Sequence, residues 1–91
     1  MREIVFTSAF RRAYKSFTGK HPELIQVIQE VLEKLSQDPN QPSLETHKLK
    51  GKMSGYLACS AGYDLRIIFD LEDKPNNRVL LLDIGTYDEV Y

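Results

Sequence analysis

The chain has 91 residues, room for one hydrophobic core and no second, so a single domain spanning residues 1–91 is expected. With 42% hydrophobic residues, nine aromatic residues in the chain and 27% charged residues, the composition excludes a disordered chain, and no apolar run reaches the ~18–20 residues that a bilayer requires. A net charge of −1 excludes a broadly basic surface, so any phosphate binding must rest on a few placed cations.

The charge is unevenly spread. Residues 1–52 carry net +3 and residues 53–91 net −4. One cysteine, Cys59, excludes an internal disulfide, and two histidines 26 positions apart give no zinc pattern. The N-terminus shows no signal-peptide pattern, so a reducing, cytoplasmic setting is expected, with no membrane partner.

Ile4–Phe6 is a short β-prone run, and Thr7 and Ser8 are suited to cap a helix. Phe6, Ala9, Phe10, Ala13, Tyr14 and Phe17 then recur at helical spacing, with Arg11, Arg12 and Lys15 on the other face. Gly19 is expected to end this helix. His21-Pro22-Glu23 opens a second helix, whose stripe is Leu24, Val27, Ile28, Val31, Leu32 and Leu35. Asp38-Pro39 closes it. The short connection at Thr18–Lys20 predicts an antiparallel helical hairpin.

The second half predicts three strands, at Gly55–Ser60, Asp64–Leu71 and Arg78–Ile84, with a polar turn over Glu72–Asn77. Gly85 is expected to break the last strand, and the tail Thr86–Tyr91 to form a turn. The fold class is therefore α+β, an antiparallel sheet with the N-terminal helical hairpin on one face, in the order β-α-α-β-β-β. The expected core holds Phe10, Phe17, Leu24, Ile28, Leu35, Phe69, Leu80 and Leu82. A hairpin centred on Lys74/Pro75 sets Arg66 opposite Asp83 and Phe69 opposite Leu80. The opposite sheet face then carries Asp64, Arg66 and Asp83 and is open to a ligand.

Arg66 has two readings, a cross-strand salt bridge to Asp83 or a guanidinium that grips a phosphate. His47-Lys48-Leu49-Lys50-Gly51-Lys52 is either a solvated loop or an imidazole beside three ammonium groups. The second arrangement binds phosphate and moves a proton, as RNA cleavage requires. Tyr87 and Tyr91 suit edge packing, base stacking or proton transfer. Asp64 suits a turn, and Cys59 suits packing better than nucleophilic attack.

These strings, together with Gly55-Tyr56, Asp64-Leu65-Arg66-Ile67-Ile68-Phe69 and Ile84-Gly85-Thr86-Tyr87-Asp88-Glu89-Val90-Tyr91, resemble the RelE/ParE toxin superfamily, and within it the YafQ-type branch. The resemblance spans nearly the whole chain. It implies the toxin of a type II toxin–antitoxin pair. The expected activity is an mRNA endoribonuclease that works on the ribosome without metal or other cofactor, and that a cognate antitoxin neutralises.

By the same resemblance, His47 in His-x-Leu-x-Gly matches an active-site histidine, Asp64 an aspartate of that site and Arg66 a functional arginine. Tyr91 falls at a catalytic tyrosine or phenylalanine, and Tyr87 at the histidine of Gly-Thr-His. Lys48, Lys50 and Lys52 are expected to hold RNA. Ser60 replaces a histidine of the YafQ branch and Asp83 its phosphate-binding arginine, while Leu57 and Cys59 stand at RelE lysines. The alternative is a non-catalytic module of the same fold, a ParE-like gyrase inhibitor or a degenerate toxin that acts through its antitoxin.

Overall fold

The computed structural model describes residues 1–62 and 64–91. Strand β1 (Glu3–Phe6) leads into helix α1 (Ser8–Lys20). Thr7 joins the two: its hydroxyl oxygen accepts from the Phe10 N–H (3.2 Å) and donates to the Leu81 carbonyl (2.6 Å). One side chain thus caps the helix and ties its start to the sheet.

Helix α1 runs one residue past Gly19, which has no left-handed backbone. The stop comes from Pro22. Its ring disfavours helical geometry in the preceding residue, and His21 leaves the helix at φ −131° and ψ 62°. A single 3-10 turn, Pro22–Leu24, precedes α2 (Ile25–Gln37). Asp38, before Pro39, is likewise extended.

Among the described residues the sheet has five strands in the order β1-β5-β4-β3-β2. These are β2 (His47–Lys48), β3 (Leu57–Ala61), β4 (Leu65–Glu72) and β5 (Arg78–Thr86) beside β1. β1 lies parallel to β5, and the remaining pairs are antiparallel. The two-residue β2 is an addition to the expected order. The basic segment begins as an edge strand, with His47 paired to Ala58 and Lys48 to Leu57.

Both helices bury their stripes on one sheet face, as expected. Phe10, Phe17, Ile28, Val31 and Leu35 meet Cys59, Ile67, Phe69, Val79, Leu81 and Ile84, and Leu24 packs half-buried at their margin. Among the described residues no helix is long and apolar enough to cross a membrane.

The β4–β5 register departs from expectation. The turn leaves Glu72 opposite Arg78, with Asn77 left-handed at φ 53°, and a bulge between Ile68 and Phe69 shifts the pairing again. Phe69 therefore faces Leu81 rather than Leu80, and Arg66 faces Gly85 rather than Asp83. A one-residue slip exchanges the faces of a strand. Val79 and Leu81 fill the core in place of Leu80 and Leu82. Leu82 instead packs on the other face, in a small cluster with Ala58, Ile68, Val90 and Leu49. That face is therefore partly covered, by the C-terminal helix α3 (Tyr87–Val90).

Candidate functional site

The covered part of the second face leaves an open cavity of about 340 Å³ between β2, β3, β4 and α3. His47, Arg66, Tyr87 and Tyr91 line it, with Glu45, Leu49 and Ser60. Four residues separated by up to 44 positions meet because β2 and β4 flank β3 and α3 folds back beside them.

His47 is exposed on β2, and its Nδ1 lies 3.1 Å from the Glu45 carbonyl oxygen. A carbonyl only accepts, so the contact is a hydrogen bond when Nδ1 carries the proton. Nε2 then holds the free lone pair. Glu45 presents that carbonyl from a left-handed backbone at φ 51° and ψ 40°.

Arg66 is half-buried on β4 and donates to the carbonyl of Leu65 (3.1 Å). Its guanidinium carbon stands 5.8 Å from the centre of the Tyr87 ring. Among the described residues no carboxylate forms an ion pair with it. The expected Arg66–Asp83 bridge is thus absent, because the bulge carries Asp83 opposite Ile68. The guanidinium keeps donors available for a ligand.

The Tyr87 and Tyr91 rings begin and follow α3, with centres 4.7 Å apart and planes inclined at 59°. Burial pushes the Tyr91 phenol above its ordinary range, and Arg66 partly offsets this. The phenol therefore holds its proton at neutral pH.

Asp64 lies outside the cavity lining. Its carboxylate accepts the Tyr87 backbone N–H (3.2 Å) and so tethers the start of α3. Lys48, Lys50 and Lys52 are exposed along β2 and the short turn that follows, and none lines the cavity. Cys59 is fully buried in the core, and burial pushes its thiol up to about 12, far from a nucleophile's range.

Sequence reasoning missed Glu45 and Leu49 as wall residues. Glu45 offers no motif, since it contributes through its backbone conformation. Leu49 reads as an ordinary apolar residue until α3 is seen beside it.

Asp83 occupies a different environment from the one expected. It is half-buried, and its carboxylate accepts the Ile84 N–H (2.8 Å). Burial raises its pKa, the Ile84 contact lowers it and Glu89 raises it further. A pKa raised in the folded state gives stability that is present below the usual carboxylate range and lost as pH rises through the raised value. Asp83→Asn keeps an acceptor for Ile84 and removes the charge. The variant is expected to unfold at a higher temperature than wild type at pH 7, with the gain shrinking as pH falls below the carboxylate range. A lower unfolding midpoint at pH 7 would contradict this account.

The model of the family described as "Bacterial toxin of type II toxin-antitoxin system, YafQ" matches residues 2–91. No curated protein matches the sequence. Among solved structures, YafQ from E. coli strain BL21(DE3) superimposes with a TM-score of 0.81 at 18% identity, covering 100% of this chain and 99% of the other. A chain of the E. coli DinJ-YafQ complex gives 0.79 at 17% identity, covering 100% and 99%. A chain of the RelBE2 toxin-antitoxin complex from Mycobacterium tuberculosis gives 0.72 at 19% identity, covering 93% and 96%.

Proposed function

The chain belongs to the YafQ family of bacterial type II toxin–antitoxin toxins, and from that premise we propose that it is a metal-independent mRNA endoribonuclease acting on the ribosome. The observation that carries the proposal is the convergence of an imidazole, a guanidinium without an ion-pair partner among the described residues, and two phenols on one open cavity.

These groups match the proton inventory of RNA cleavage. His47 takes the proton from a ribose 2′-hydroxyl through Nε2 as that oxygen forms a bond to the adjacent phosphorus. Arg66 binds the non-bridging oxygens, where charge builds in the transition state. The bond from phosphorus to the 5′-oxygen breaks, and a tyrosine returns a proton to the leaving oxygen. The products are a 2′,3′-cyclic phosphate and a 5′-hydroxyl.

Tyr91 suits the acid role because a phenol carries its proton at neutral pH and this one lines the cavity with Arg66. The Tyr87 ring suits stacking on a base, backed by the Arg66 guanidinium. Asp64 acts through the Tyr87 backbone as a positioning residue. Lys48, Lys50 and Lys52 hold the RNA backbone outside the cavity.

The DinJ-YafQ and RelBE2 complexes give this fold a protein partner in each case. The chain is accordingly proposed to bind a cognate antitoxin. Induced expression with and without the neighbouring frame, reading growth and mRNA cleavage together, tests the function. Growth arrest with cut transcripts, relieved by the neighbour, is expected. Arrest with intact transcripts would favour a gyrase inhibitor instead.

A further inference from the structure

We propose that Gly85 and Glu89 are positioning residues that clamp α3 onto the sheet, and so set Tyr87 and Tyr91 against Arg66. The inference rests on the nuclease reading for its rate measurement, but the clamp itself has an independent readout.

Gly85 is buried on β5, directly opposite Arg66. Its backbone is not in the left-handed region, and β5 continues through it to Thr86, so no turn requires glycine here and the expected strand break does not occur. What requires it is the approach of α3. A β-carbon on Gly85 would stand 3.0 Å from the Glu89 Cβ, 3.2 Å from its Oε1 and 3.2 Å from Val90 Cγ1. Even an alanine there requires Glu89 and Val90 of α3 to give by a few tenths of an ångström.

Glu89 grips from the other side. Its Oε1 accepts the Thr86 N–H (2.9 Å), and the Thr86 hydroxyl oxygen accepts the Glu89 N–H (3.4 Å), a reciprocal capping box. Its Oε2 lies 3.9 Å from Lys20 Nζ at the end of α1. Val90 is buried against Ala58 and Ile68. A helix of four residues has no stability of its own. These contacts, with the Asp64 tether, therefore decide where both phenols sit. Reacting groups displaced by about 1 Å can lose on the order of 10²-fold in rate.

The test uses the full chain with Gly85→Ala, Glu89→Ala and Glu89→Gln. It reads single-turnover cleavage on ribosomes, the Tyr91 phenol titration by NMR, and thermal unfolding. Gly85→Ala is expected to stay folded, to cut several-fold more slowly as α3 shifts by a fraction of an ångström, and to move the Tyr91 titration toward the ordinary phenol range. Glu89→Ala, which removes one half of the capping box, is expected to cut more slowly than wild type. Glu89→Gln, which still accepts the Thr86 N–H, should cut at the wild-type rate. A folded Gly85→Ala with an unshifted Tyr91 titration overturns the clamp whether or not RNA is cut. So does a variant in which the titration shifts and the rate stays wild-type. A wild-type protein that cuts no RNA overturns the nuclease reading, and the titration then decides the clamp alone.

Discussion

Arg66→Ala is expected to slow single-turnover cleavage on ribosomes by roughly 10²–10³-fold, the usual cost of removing a preorganised donor from a developing oxyanion. The expectation follows from what Arg66 does not do. It supports no ion pair among the described residues, and its contacts are its own strand carbonyl and the face of Tyr87. An exposed cation–π contact is worth about 0.5–1 kcal/mol, so the unfolding midpoint should move little. Arg66→Lys is expected to fall between wild type and alanine, because it keeps the charge and loses the planar fork. No second guanidinium among the described residues lines the cavity to share the load. Cleavage at the wild-type rate in Arg66→Ala would remove the guanidinium from the chemistry.

What could be read from the chain follows from period and local sterics. The helix stripes are fixed by spacing, so Phe10, Phe17, Ile28 and Leu35 fall in the core as expected. Arg66 and Phe69 fall on opposite faces for the same reason. The hairpin register was out of reach because it depends on two local irregularities, the length of the turn and the bulge beside Ile68. Neither leaves a residue signature, since Leu80, Leu81 and Leu82 are interchangeable in hydropathy. That ambiguity misplaced Leu80 and Leu82 and suggested an Arg66–Asp83 bridge that the register does not allow.

The site shows the same division. His47, Arg66, Tyr87 and Tyr91 carry recognisable chemistry and meet at the cavity. Glu45 contributes a carbonyl and Gly85 the lack of a β-carbon, and neither announces itself in sequence. The capping box was legible in principle, since Thr86-Tyr87-Asp88-Glu89 has the required spacing. It explains why the tail forms a helix rather than a loose turn.

His47→Ala is expected to cost roughly 10²–10⁴-fold in single-turnover cleavage, the range for removing a positioned general base. The side chain is exposed at an edge strand and absent from the core, so the loss should come with an unchanged unfolding midpoint. A general base and a group that merely binds RNA respond differently to added imidazole. Imidazole replaces a missing proton acceptor and not a missing anchor. Partial rescue of His47→Ala by imidazole is therefore expected, with no such rescue of Arg66→Ala.

The acid side is separated by the two phenol deletions. Tyr91→Phe should fall about 10²-fold if Tyr91 protonates the leaving 5′-oxygen. Tyr87→Phe, which keeps its ring over Arg66, should fall far less. The reverse order would move the acid role to Tyr87. Equal and small losses for both would leave the leaving group to solvent and assign the tyrosine pair to stacking. Wild-type cleavage by His47→Ala would require a different base. Among the described cavity residues the remaining carboxylate is that of Glu45, so Glu45→Gln in the His47→Ala background is the variant that decides between them.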